Sequence, residues 1–168
     1  MEIILLLTVL TICVITDIRS RKIYNVLTVP TVLIAILFHT ILGGWQGFLF
    51  SSLGLLAGLG LLFIPFIMGV MGAGDVKLMG AIGALMGASF VFYTFLYAAI
   101  IGGLVAAVLL YRRRALGFVV KKLFFSFLVF KGQAGSLSID QQPGAATFPY
   151  GVAIGLGAGL SLFLEGML

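Results

Sequence analysis

Long apolar runs separated by short polar clusters set the pattern of this chain. Positions 3–16 are almost wholly apolar and end at Asp17-Ile18-Arg19-Ser20-Arg21-Lys22. The stretch 23–74 then holds no Asp, Glu, Lys or Arg, and its clearest interruption is Gly43-Gly44-Trp45-Gln46-Gly47. A hydrocarbon core of about 30 Å takes roughly 20 helical residues, so this stretch reads as two spans joined by a turn. Residues 78–111 are again uncharged and too long for one ordinary helix. A break near Gly87-Ala88-Ser89 divides them into a short or tilted span and a full one. The pattern predicts an all-α integral membrane protein, a bundle of six transmembrane helices. Their approximate limits are 3–17, 26–42, 48–70, 76–88, 90–111 and 147–165, in a single domain covering 1–168.

Composition sharpens the class. The chain is 62% hydrophobic and only 9% charged, whereas soluble domains carry about 25% charged residues. A cytoplasmic enzyme, a nucleic-acid module and a disordered segment are thereby excluded. Basic residues accumulate on the cytoplasmic side of membrane proteins. With six spans and the N-terminus outside, the loops 17–25, 71–77 and 112–146 all face the cytoplasm, and they hold all ten Lys and Arg. The net charge of +5 is then a topology signal with attraction to anionic membrane lipid, and no nucleic-acid partner is expected. The first 16 residues do not read as a cleaved signal peptide, because an acid opens them and the basic cluster follows the apolar run. Between the last two spans, Leu116–Phe130 is aromatic-rich and carries Lys121 and Lys122. It fits an amphipathic interface helix, either a membrane anchor or a docking surface, before a polar loop that carries Asp140.

Charge scarcity makes the acids informative: Glu2, Asp17, Asp75, Asp140 and Glu165 are the only five. Glu2 and Glu165 fall at the outer ends of the first and last spans. Asp17 closes a first span of about 14 apolar residues, roughly 21 Å of helix, and so is expected below the headgroups. Asp75 stands between two apolar runs, inside Met71-Gly72-Ala73-Gly74-Asp75-Val76-Lys77. A charge in the bilayer centre costs on the order of 2.5–3.5 kcal/mol even on insertion scales and marks a functional candidate. Two spans separate Asp17 from Asp75, which puts both on one face of the membrane. His39 lies at the opposite side, Cys13 lies within a span with no partner thiol, and no phosphate-cradling loop or metal-ligand cluster is present.

Two carboxylates held close do not both ionise readily, so one can act as base on a shared water while the other donates a proton. That suits hydrolysis of a peptide bond. Two other roles remain open on the residues alone. The acids could pair with Arg21, four residues from Asp17, and with Lys77, or they could line a cation or proton pathway. Gly72 and Gly74 weaken helix by about 1 kcal/mol each. They suggest a strand or loop beside Asp75 where extended substrate backbone can approach. Further glycines at four-residue spacing, Gly54/Gly58, Gly83/Gly87 and Gly151/Gly155/Gly159, predict faces where helix backbones meet closely.

Gly72-Ala73-Gly74-Asp75-Val76-Lys77 resembles the GxGD motif of the type IV prepilin peptidases, membrane aspartyl proteases. Asp17-Ile18-Arg19 followed by Lys22-Ile23-Tyr24-Asn25 is similar to that family's first catalytic segment, with Tyr24 where proline is usual. Phe148-Pro149-Tyr150-Gly151 resembles the element that opens its last span. The resemblance covers nearly the whole chain. It implies cleavage of the short basic leader from a prepilin or pseudopilin at the cytoplasmic face of the inner membrane. Asp17 and Asp75 would be the catalytic pair, with Gly72, Gly74, Lys77, Arg19, Asn25, Pro149, Tyr150 and Gly151 supporting the site or binding substrate. It implies neither metal nor organic cofactor. The wording is most similar to the short enzymes of tight-adherence (Flp) pili, which lack the zinc element and methyltransferase activity of larger members. The alternatives within and outside this family are an inactive assembly subunit of a pilus or secretion system and a small membrane transporter. Oligomeric state is not legible.

Overall fold

The structure, a computed structural model, describes residues 2–68, 71–112 and 150–166. Among these it is wholly helical, with α1 (Glu2–Ser20), α2 (Asn25–Ile67), α3 (Ala73–Arg112) and α4 (Tyr150–Glu165). Three of them, α1, α2 and α3, are long and apolar enough to cross a membrane, and α4 is shorter at 16 residues. The segment 113–149, including the expected interface helix and Pro149, lies outside the described residues. The chain divides into two compact units, Met1–Gly102 with Pro149–Leu168, and Gly103–Phe148. The candidate site lies in the first.

The two longest helices are each interrupted once, at a glycine. Gly44 has φ 56° and ψ −135°, and Gly87 has φ 87° and ψ 174°. Positive φ costs an L-residue with a Cβ but not glycine, so these are the places where the apolar runs can turn. The turn at Gly44 is sharp. Gly47 lies against the carbonyl of His39, whereas eight residues along a straight helix are about 12 Å apart. The described residues thus form six helical segments, with breaks at 44 and 87 and connections after α1, α2 and α3.

A helix break leaves carbonyls without their usual amide partners. Two of those ahead of Gly87 are met by side chains of α2. The Ser51 hydroxyl donates to the Ala84 carbonyl at 2.8 Å, fully buried, and His39 Nε2 lies 3.0 Å from the Leu85 carbonyl. His39 also packs edge-on against Phe38 and Phe50, with Nδ1 4.0 Å from a Glu2 carboxylate oxygen.

The segments meet where side chains are smallest. A Cβ on Gly54 would overlap the Gly83 carbonyl, and one on Gly58 would overlap that of Met79. In α4, Gly151 and Gly155 face Asp17 and Val14 of α1, and Gly157 faces Thr94 and Ala98 of α3. Gly159, which shares the four-residue spacing, has nothing within 4 Å. Phe90, Leu6, Leu62, Leu78 and Met79 fill the core, while Ile4 and Ile41 are 72% and 79% exposed. Apolar side chains pointing outward on all sides suit a hydrocarbon solvent, not water.

Candidate active site

At one end of the helices a cavity of about 380 Å³ is lined by Asp17, Arg21, Lys22, Ile23, Tyr24, Asn25, Gly72, Gly74 and Asp75. Three pieces of chain build it: the last turn of α1, the connection into α2, and the start of α3. Helix α1 continues to Ser20, about 29 Å of rise at about 1.5 Å per residue. Asp17 therefore sits within its last turn, 6% exposed, and does not close a shortened span. The helix is terminated by Arg21, whose φ of 50° is the one positive value among the described non-glycine residues. Its amide donates to the Asp17 carbonyl at 2.8 Å. A left-handed residue with a Cβ is strained by about 1–2 kcal/mol, and here it turns the chain across the cavity.

Each carboxylate is held by a backbone amide. The Gly151 N–H, in the first turn of α4, donates to Asp17 Oδ2 at 2.8 Å, and the Val152 amide is within reach of the same group. The first amides of a helix have no partner inside it, so Asp17 supplies one from another helix and is oriented in return. A Cβ at position 151 would stand 2.7 Å from Asp17 Oδ2. Only glycine lets α4 come this close. Asp75 lies in the first turn of α3, 8% exposed, and its Oδ2 accepts the Gly72 N–H at 3.3 Å while its own amide donates to the Gly72 carbonyl at 3.2 Å. The strand or loop expected beside Asp75 is present only as far as Gly72, which lies outside any helix; from Ala73 the chain is already helical, because the reciprocal bonds with Gly72 cap the start of α3. Gly74 is already helical, and its bare Cα faces Ile23.

The remaining residues singled out in the sequence divide. Lys77 Nζ donates to Asn25 Oδ1 at 2.9 Å, tying the start of α3 to the start of α2, and does not bridge to Asp75. Gly72, Gly74 and Asn25 line the cavity with both acids. Arg19 is exposed and does not line it, since it lies two positions from Asp17 on another face of α1. Tyr150 begins α4, and Pro149 lies outside the described residues. Sequence reasoning passed over Arg21, Lys22, Ile23 and Tyr24 as wall residues. The signal available was their position between Asp17 and Asn25, which a cavity shared by those two must include.

Helices of this length and apolarity, with two buried acids brought to one polar cavity, define a multi-pass membrane protein with a concentrated polar site. The sequence profile of the type IV leader peptidase family matches residues 4–107. The chain belongs to that family, and it is a peptidase. The matched region contains all nine cavity residues, Asp17 and Asp75 among them, and stops before α4. Neither curated proteins nor solved structures gave a match.

Proposed function

We propose that this chain is an aspartyl endopeptidase that removes the short basic leader from a prepilin or pseudopilin, with Asp17 and Asp75 as the catalytic pair. The carrying observation is that the two buried acids line one cavity, each oriented by a glycine amide. In the reaction, one carboxylate takes a proton from water as its oxygen attacks the scissile carbonyl carbon. The other, protonated, donates to the carbonyl oxygen. Collapse of the tetrahedral intermediate breaks the C–N bond: the leaving amine takes the proton held by the first carboxylate, and one hydroxyl of the intermediate returns its proton to the second as the new carboxyl group forms. Roles within the pair are not divided, since a coupled pair titrates as a unit.

Ion pairing as the purpose of Asp75 loses its partner, because Lys77 is engaged by Asn25. The topology proposed is six spans with the N-terminus outside and the cavity at the cytoplasmic face of the inner membrane. It is supported by the six helical segments and by Arg21, Lys22 and Lys77 standing at the cavity end. The test is cleavage of a synthetic prepilin-type peptide by the purified protein, with products identified by mass. Wild-type protein cuts once at the leader boundary. Asp17→Asn and Asp75→Asn fold with unchanged thermal transitions and cut more slowly by about 10²-fold or more. Normal processing by either variant overturns the proposal.

A further inference from the structure

We infer that the main-chain N–H and C=O of Ile23 form a docking pair for one residue of extended substrate backbone, laid alongside the connection between α1 and α2. This rests on the peptidase reading above and names how that site holds its substrate. Backbone polar groups are obligatory hydrogen-bonding groups, and a chain that enters a cavity can pair with those that have no partner within the protein. Ile23 is half-buried in the cavity wall, yet its amide and carbonyl have no hydrogen-bond partner among the described residues. The neighbouring groups are accounted for differently. The Arg21 amide closes α1 on the Asp17 carbonyl, and the Tyr24 carbonyl accepts the Leu27 and Thr28 amides at 3.0 and 3.4 Å as α2 begins.

Tyr24 is extended, with φ −81° and ψ 134°. In an extended chain one residue presents its N–H and C=O to the same edge, and the next residue presents its pair to the other. The Tyr24 edge is turned into α2, which leaves the Ile23 edge for another strand. Gly74 keeps that edge open. A Cβ on Gly74 would come 2.9 Å from the Ile23 Cβ, 3.4 Å from its carbonyl oxygen and 3.5 Å from its nitrogen, covering both groups at once. The same cavity holds both carboxylates. A scissile bond must leave its helix to be attacked, and an extended segment needs new partners for the amides it exposes. Strand addition supplies them, with main-chain bonds giving affinity that tolerates varied side chains.

The experiment is a backbone N-methyl scan of a synthetic prepilin-type peptide, one position at a time on both sides of the scissile bond, with KM and kcat measured separately. Pairing with a single residue predicts one position at which N-methylation raises KM about three- to tenfold, while its two neighbours leave KM unchanged. Ile23→Pro deletes the N–H of the pair and leaves its C=O, and it raises KM by a similar factor for the unmodified peptide with kcat nearly retained. A scan with no such isolated position overturns the inference, as does a folded Ile23→Pro variant with wild-type KM. If that variant does not fold, the scan on wild-type protein decides alone. Failure to cleave the unmodified peptide overturns the peptidase reading itself, and the pairing with it.

Discussion

Glycine serves opposite purposes in two regions of this molecule. Between the second half of α2 and the first half of α3, Gly54 and Gly58 meet Gly83, Met79 and Gly80. There the missing Cβ lets two helix backbones touch. At the cavity, Gly151 lets an amide reach the Asp17 carboxylate, and Gly74 puts no side chain over the Ile23 backbone. The first group lets backbone meet backbone; the second lets polar groups be reached, by the α4 amide at Asp17 and, in the proposed pairing, by substrate at Ile23. A glycine count does not distinguish them. What distinguishes them is what a Cβ would meet: rigid backbone in the helix contact, a functional side chain or an open hydrogen-bonding edge at the cavity.

Substitutions separate the two regions, because one should fail in stability and the other in rate. Gly54→Ala drives a methyl into the Gly83 carbonyl, and backbone yields less than a side chain. The expected loss is near the top of the usual range of about 1–3 kcal/mol for overpacking, read by thermal unfolding in detergent. Gly151→Ala should instead keep most of the stability and displace Asp17. A misplacement of about 1 Å near the reacting groups costs on the order of 10²-fold in rate, read as kcat on a prepilin-type peptide. A smaller effect is expected at the far end. His39→Ala leaves the Leu85 carbonyl without its partner, which lowers stability by about 1–2 kcal/mol with kcat unaltered. The smallest is Gly60→Ala, where nothing lies within 4 Å; its unfolding should stay within about 0.5 kcal/mol of wild type. A Gly54→Ala protein that unfolds normally but cuts slowly would erase the distinction.

Much of the architecture is legible because the membrane makes demands that few residues meet. Apolar run length bounds the helices, and Gly44 and Gly87 stand within the interruptions visible at 43–47 and 87–89. Scarcity of charge singles out Asp17 and Asp75. The details that were not legible depend on distant parts of the chain. Helix α1 outlasts its apolar run and ends only where Arg21 adopts a left-handed conformation usually left to glycine, so Asp17 lies within the last turn and not at the end of the span. In sequence His39 stands out only as lying on the side opposite the acids, and its use emerges only when the break at Gly87 frees a carbonyl 46 positions away. Lys77 is the nearest base to Asp75 in sequence, but two positions on a helix do not face each other, and it finds Asn25, 52 positions distant.

The central claim is that Asp17 and Asp75 act as one chemical unit, and the most direct test compares kcat/KM for wild type, Asp17→Asn, Asp75→Asn and the double variant. Residues that work as a unit are strongly non-additive. Each single substitution should lower kcat/KM by about 10²–10⁴-fold, and the double variant should be no slower than the slower single. Losses that multiply in the double variant, or a single variant that cleaves at the wild-type rate, would contradict the account.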